Sequence, residues 1–105
     1  MELRIAQSAL VDLLAIKTYY AEQGVPHVGD NYVEAILSHS EMLTQHPAAG
    51  RVVPEFNLDH IREIIHSPFR VVYLWQAGEV VLIRVCRSER QLELPETEAQ
   101  QDIGN

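Results

Sequence analysis

Between Ile61 and Arg87 the chain writes three strand-like runs with almost nothing between them. Ile61–His66, Phe69–Gln76 and Glu79–Arg87 are rich in Val, Ile, Leu and aromatic residues, and the links are Ser67-Pro68 and Ala77-Gly78. Two-residue links join only antiparallel neighbours, because a parallel crossover needs a dozen residues or more. This block therefore predicts a three-stranded antiparallel meander. The last run is apolar on both parities, with Val80 and Leu82 on one and Val81, Ile83 and Val85 on the other. Such a strand is predicted to be covered on both faces.

The N-terminal half reads as helix. Glu2 to Ala6 alternates, with Leu3 and Ile5 against Arg4, and suits a short edge strand. Ser8 is placed to cap a helix in which Leu10, Leu13, Leu14, Ile16 and Tyr20 recur at helical spacing through about Glu22. Gly24-Val25-Pro26 breaks it. A second helix is predicted to begin between Val28 and Asp30, with Tyr32, Val33, Ile36, Leu37, Ser40 and Leu43 as its apolar stripe and His46-Pro47 and Gly50 as its end. The short connection predicts an antiparallel helix hairpin. Arg51 to Asp59 reads as a loop around Pro54. The fold class is α+β: an N-terminal strand and a helix hairpin packed on a small antiparallel sheet of about four strands. The hairpin can cover one sheet face, and a partner chain is the expected cover of the other.

At 105 residues the chain is most simply one domain, expected over residues 1–92, followed by an acidic tail at 93–105 that is loosely ordered or a short helix. No charged leader followed by an apolar stretch opens it, and no apolar run is long enough to span a bilayer. One cysteine, Cys86, allows no internal disulfide. A cytoplasmic protein without membrane association is the expectation.

Charge is unevenly placed. Residues 1–50 hold six acids and two bases (−4), residues 51–92 five acids and six arginines (+1), and residues 93–105 four acids and no base (−4). The net charge of −7 argues against broad electrostatic binding of nucleic acid. Seven of the eight bases are arginine, which suits planar, bidentate contact with carboxylate or phosphate. Each arginine is about equally open to a plain salt bridge on a solvated strand.

Several chemistries lack their residues. The five glycines are scattered, so there is no phosphate-binding loop. One cysteine and the separated His27, His39, His46, His60 and His66 give no metal-ligand pair at a diagnostic spacing, and no cofactor is expected. No Ser, His and Asp set stands in a motif. RNA cleavage through the 2′-hydroxyl stays open, since it needs proton transfer and cations. Arg62, Arg84, Arg87 and Arg90 could supply cations, and His60, His66 or Glu89 the proton transfer. Set against this, His66 and His60 are more simply turn or surface residues, and Glu89 a salt-bridge partner. Cys86 reads as a buried small side chain, and Tyr73 and Trp75, on the parity of Phe69 and Val71, as packing residues.

Four segments, in this order, resemble the RelE/ParE superfamily of bacterial type II toxins. Ala9 to Tyr20 looks like the family's first helix, and His46-Pro47-Ala48-Ala49-Gly50-Arg51 like its xPxxGR helix end. Ile61-Arg62 through Phe69-Arg70-Val71-Val72-Tyr73 looks like its strand pair, and Leu82-Ile83-Arg84-Val85 with Arg87, Arg90 and Leu92 like its closing strand. The resemblance covers residues 3–92 and implies a toxin silenced by a cognate antitoxin, the two forming a hetero-oligomer. RelE-like members cut messenger RNA on the ribosome with basic residues and often a terminal His or Tyr, whereas ParE-like members poison DNA gyrase with no chemistry of their own. Here Arg87 occupies the position that often holds His, and no His or Tyr follows it. The ParE-like branch is therefore favoured, with Arg62, Arg84, Arg87 and Arg90 as the surface for target or antitoxin. The alternatives are a ribosome-dependent endoribonuclease built on Arg62, His66 and Arg87, and a non-toxic interaction module of the same fold.

Overall fold

The structure is a computed structural model that describes residues 1–89. Arg90 and the tail at 93–105 lie outside the described residues.

Strand β1 (Glu2–Ile5) leads into helix α1 (Gln7–Glu22), a three-residue turn and helix α2 (Pro26–Ser40). Two 3-10 turns, Glu41–Thr44 and Pro47–Ala49, precede β2 (Arg51–Val52), and β3 (Ile61–His66), β4 (Phe69–Gln76) and β5 (Glu79–Arg87) follow. Among the described residues the sheet has five strands in the order β1-β5-β4-β3-β2. The expectation of about four antiparallel strands is corrected twice. Arg51–Val52 adds a short strand antiparallel to β3 within the predicted loop, and β1 runs parallel to β5. The chain between them runs through the helix hairpin and then β2, β3 and β4, so the parallel pair has the long connection it requires.

The meander bounds follow the turn residues. Ala77 and Gly78 both have positive φ, +48° and +76°, as a two-residue hairpin turn matching the strand twist requires. A bulge in β5 places Leu82 opposite Tyr73 and Arg84 opposite Val72, so Ile83 is the extra residue.

On one face, Ala9, Leu13 and Ile16 of α1 and Ile36 of α2 pack over Ile64, Phe69, Val71, Tyr73, Val80, Leu82 and Val85. On the other, Val53 and Ile61 join Val72, Leu74, Val81 and Ile83, with Phe56 and Leu58 of the 53–60 loop packed against them. Residues Val72, Leu74, Val81 and Ile83 are fully buried in the single chain, so no partner is needed to cover this face. Leu10 and Leu14, expected in the buried stripe of α1, are exposed together with Val11 and Tyr19. Helix α1 turns its row 9-13-16 inward, and residues one position on from 9 and 13 fall about 100° around the helix.

Two further boundaries differ from expectation. Pro26, read as a breaker, opens α2, because its missing N–H is one that no helix start can bond. α2 ends at Ser40, and Leu43 lies in the 3-10 turn beyond it. Ser8 does not cap α1, whose N-cap is Ala6; its hydroxyl donates to the Ile83 carbonyl at 2.6 Å.

Candidate functional site

The motif residues meet in three places. At the first, the turn before β2 closes on the Tyr73 hydroxyl. That hydroxyl donates to the Pro47 carbonyl at 2.6 Å and accepts from the Gly50 N–H at 2.9 Å. A Cβ on Gly50 would stand 2.6 Å from both the Glu63 carbonyl oxygen and the Tyr73 hydroxyl, so the position requires glycine for space. The glycine's φ of −78° is ordinary. Burial pushes the Tyr73 hydroxyl pKa up, and the Gly50 bond and the Arg62 charge partly oppose this. The xPxxGR segment and the strand tyrosine are thus one structural unit.

Beside it lies a buried ionic cluster. The Glu63 carboxylate is fully buried and accepts from Arg51 Nε and Arg70 Nε, each at 2.6 Å. Arg70, itself buried, also grips Glu55 through two nitrogens at 2.8 and 3.0 Å. These bonds, Glu55 first, hold the Arg70 pKa far above its ordinary value against the opposing cost of burial. Arg62 is equally committed. It donates to the Asp59 and Gly50 carbonyls at 2.9 and 3.0 Å and to Asp59 Oδ1 at 3.1 Å, its side chain is 16% exposed, and it lies over Trp75 at 5.5 Å. The guanidinium of Arg62 acts as a strut for the 50–59 loop.

At the second place, α1 finishes the edge of β5. Pairing with β1 stops at Leu82, whose carbonyl accepts the Ala6 N–H at 2.9 Å. Beyond it, Ser8 takes the Ile83 carbonyl and Asp12 Oδ2 accepts the Val85 N–H at 2.8 Å. Asp12 also binds Arg84 at 2.9 and 3.3 Å. Two side chains one helical turn apart therefore continue the sheet edge that β1 leaves off.

At the third, the open end of the sheet gathers aromatic and titratable groups. His66, Phe69 and Arg87 are register partners in a row across β3, β4 and β5. Arg87 lies 5.9 Å over the Phe69 ring, is 46% exposed, and binds Glu89 at 2.8 Å. Glu89 chiefly, and the Tyr20 hydroxyl less, raise the Arg87 pKa. Tyr32 meets Phe69 edge-on at 5.2 Å, Tyr20 lies 5.5 Å from Tyr32, and Tyr19 packs edge-on against Tyr20. His39 Nδ1 and His66 Nδ1 are 3.1 Å apart, so one ring donates and the other accepts. A cavity of about 360 Å³ opens here, walled by Ala15, Ile16, Tyr19, Tyr20, Phe69, Cys86 and Arg87.

The three arginines of this set that the structure describes do not converge, and Arg90 lies outside the described residues. Arg87 sits at this open end, Arg84 is held at the α1 edge, and Arg62 supports the loop at the opposite side of the sheet. Arg62 is opposite Tyr73 and Arg87 opposite Phe69, four residues along β4, or roughly 13 Å. Of the set Arg62, His66 and Arg87, only the last two share an end of the sheet. His60 has its Nε2 buried. Sequence patterning did not reveal that Tyr19 and Tyr20 gather beside Arg87, Tyr32 against Phe69 and His39 against His66. The tyrosine pair at the end of the first helical motif was the available signal. Among the described residues no group of three or more His, Cys, Asp or Glu could hold a metal ion, and no helix is long and apolar enough to cross a membrane.

The family described as ParE toxin of type II toxin-antitoxin system, parDE, matches residues 3–92. No curated protein matches the chain. A solved structure described as the chromosomal ParDE TA system from P. aeruginosa superimposes with a TM-score of 0.72 at 24% identity, over 85% of this chain and 97% of that one.

Proposed function

Since the chain belongs to the ParE family of type II toxins, we propose that it arrests growth in the cytoplasm by binding DNA gyrase, and that a cognate antitoxin silences it in a hetero-oligomeric complex. It acts by contact and performs no chemistry of its own. The observation that carries this reading is the dispersal of the arginines. RNA cleavage needs a base, an acid and cations around one phosphate, whereas Arg62 is spent on two backbone carbonyls and Asp59, roughly 13 Å along the sheet from Arg87. The net charge of −7 adds a general repulsion of RNA. Arg84, Arg87 and Arg90 are the arginines proposed to meet the target, while Arg62 holds the 50–59 loop at the other side of the sheet.

The test is growth. Arg87→Glu with Arg90→Glu is expected to abolish arrest while leaving the circular dichroism spectrum and melting temperature in place, because Arg87 is on the surface. Full toxicity of the folded double variant would overturn the assignment. One observation favours the endoribonuclease as second reading: Tyr20 and His66 lie at the Arg87 end of the sheet and are groups that can transfer protons. Prompt message cleavage after induction, with DNA intact, selects that reading; filamentation with intact messages selects gyrase.

A further inference from the structure

The open end of the sheet has the composition of a recognition pocket. Six of its walls, Ala15, Ile16, Tyr19, Tyr20, Phe69 and Cys86, are apolar or aromatic, and among the described residues its one charged wall is Arg87. We propose that this pocket binds a segment of a partner protein that presents an apolar side chain next to a carboxylate, the carboxylate seated on Arg87 and the apolar group among Tyr19, Tyr20 and Phe69. The proposal rests on the contact-acting toxin reading only in taking the partner to be a protein.

Three features specify this occupant. First, Arg87 already holds a carboxylate: its Nε binds Glu89 at 2.8 Å while its guanidinium lies over Phe69. Glu89 is 64% exposed, so an incoming carboxylate can exchange with it without uncovering a buried group. Second, the pocket continues along α1. Val11, Ala15 and Tyr19 are spaced i, i+4, i+8 and form one row, with Leu10 and Leu14 beside it. Ala15 and Tyr19 line the cavity, and Leu10, Val11, Leu14 and Tyr19 are exposed. An apolar track two helical turns long that ends at an arginine fits a peptide rather than a small metabolite. Third, the charge is wrong for nucleic acid. A phosphate backbone draws on several cations in line, and among the described residues this pocket has one, in a chain of net charge −7. A single guanidinium framed by aromatic rings suits a single carboxylate.

The probe is a blocked hexapeptide, acetyl-Leu-Ala-Ala-Leu-Phe-Glu-amide, titrated into the nitrogen-15-labelled full chain and followed by amide and Arg Nε shifts. The expected result is saturable perturbation at Tyr19, Tyr20, Phe69 and Arg87 that extends to Leu14. The same peptide ending in Lys should bind at least tenfold more weakly, and Arg87→Gln should remove that preference. Equal affinity for the Lys and Glu peptides, or shifts that leave Arg87 unmoved, would overturn the proposal. Tighter binding of adenosine monophosphate at the same resonances would replace it with a nucleotide site. None of these readouts depends on whether the chain stops growth, so failure here is distinguishable from failure of the toxin reading.

Discussion

Replacing Tyr73 with Phe removes one oxygen from the centre of the motif unit and tests whether that unit holds the 47–52 segment to the sheet. Tyr73 is fully buried, and its hydroxyl satisfies both the Pro47 carbonyl and the Gly50 N–H. A net hydrogen bond is worth about 1 kcal/mol, and leaving a buried polar group without a partner costs about 1–3 kcal/mol. Two groups are stranded here, and some relaxation toward water is open to them at the turn, so the expected loss is about 3 kcal/mol. For a domain this size that corresponds to a drop in melting temperature on the order of 12–24 °C. The assay is urea and thermal unfolding by circular dichroism, with amide exchange at Gly50 as the local readout. Gly50 exchange should accelerate more than exchange in β4. Gly50→Ala should be comparably damaging by a different route, since its Cβ would displace the hydroxyl or the Glu63 carbonyl. The two variants should be non-additive because they break one contact. A Tyr73→Phe protein within about 0.5 kcal/mol of the parent, with Gly50 still protected, would refute the reasoning, since that is the range of neutral surface changes.

Three further outcomes follow from the same geometry. Glu63→Ala takes one buried carboxylate away from the buried Arg70 and should cost about 3 kcal/mol, the lower end of the range for breaking a buried pair, while adding Arg70→Met should recover part of it in urea unfolding. Asp12→Ala should cost about 1–2 kcal/mol and speed exchange at the Val85 amide, whereas Asp12→Asn, which keeps an acceptor for that amide, should cost less than half as much. Tyr73 has a folded pKa raised above its ordinary 10.0, so the neutral hydroxyl is the form the fold favours. Its contribution is complete below about pH 10 and is lost as pH rises through the folded value, at up to about 1.4 kcal/mol per pH unit. Tyr73→Phe should flatten the alkaline limb of the stability curve by that slope.

The meander was readable because its signals are local. Ser67-Pro68 and Ala77-Gly78 bound the strands, and the structure places all three over the predicted residues. What escaped was decided by pairing across the chain. Arg51–Val52 is a strand only because it lies beside Glu63 and Arg62, and two residues carry no periodicity. The exposure of Leu10 and Leu14 depends on which side of α1 meets β5, and leucine spacing alone allows either. The arginines show the same limit most clearly. Arg84 meets Asp12 and Arg70 meets Glu55 and Glu63 through contacts 72, 15 and 7 residues apart, and none of these follows from counting charge along the sequence. The second sheet face, apolar by pattern, was assigned to a partner because nothing in the composition of residues 53–58 announces a loop that folds back over it. The surface proposed for a partner is instead the outer row of α1 and the cavity at its end.

The central claim is that this fold acts on gyrase by contact. It is tested most directly by adding the purified chain to bacterial DNA gyrase and relaxed plasmid. The account predicts loss of supercoiling with accumulation of gyrase-cleaved linear DNA, and neither effect from the Arg87→Glu, Arg90→Glu protein. Undiminished supercoiling, together with messenger RNA cut on translating ribosomes by the same preparation, would contradict it.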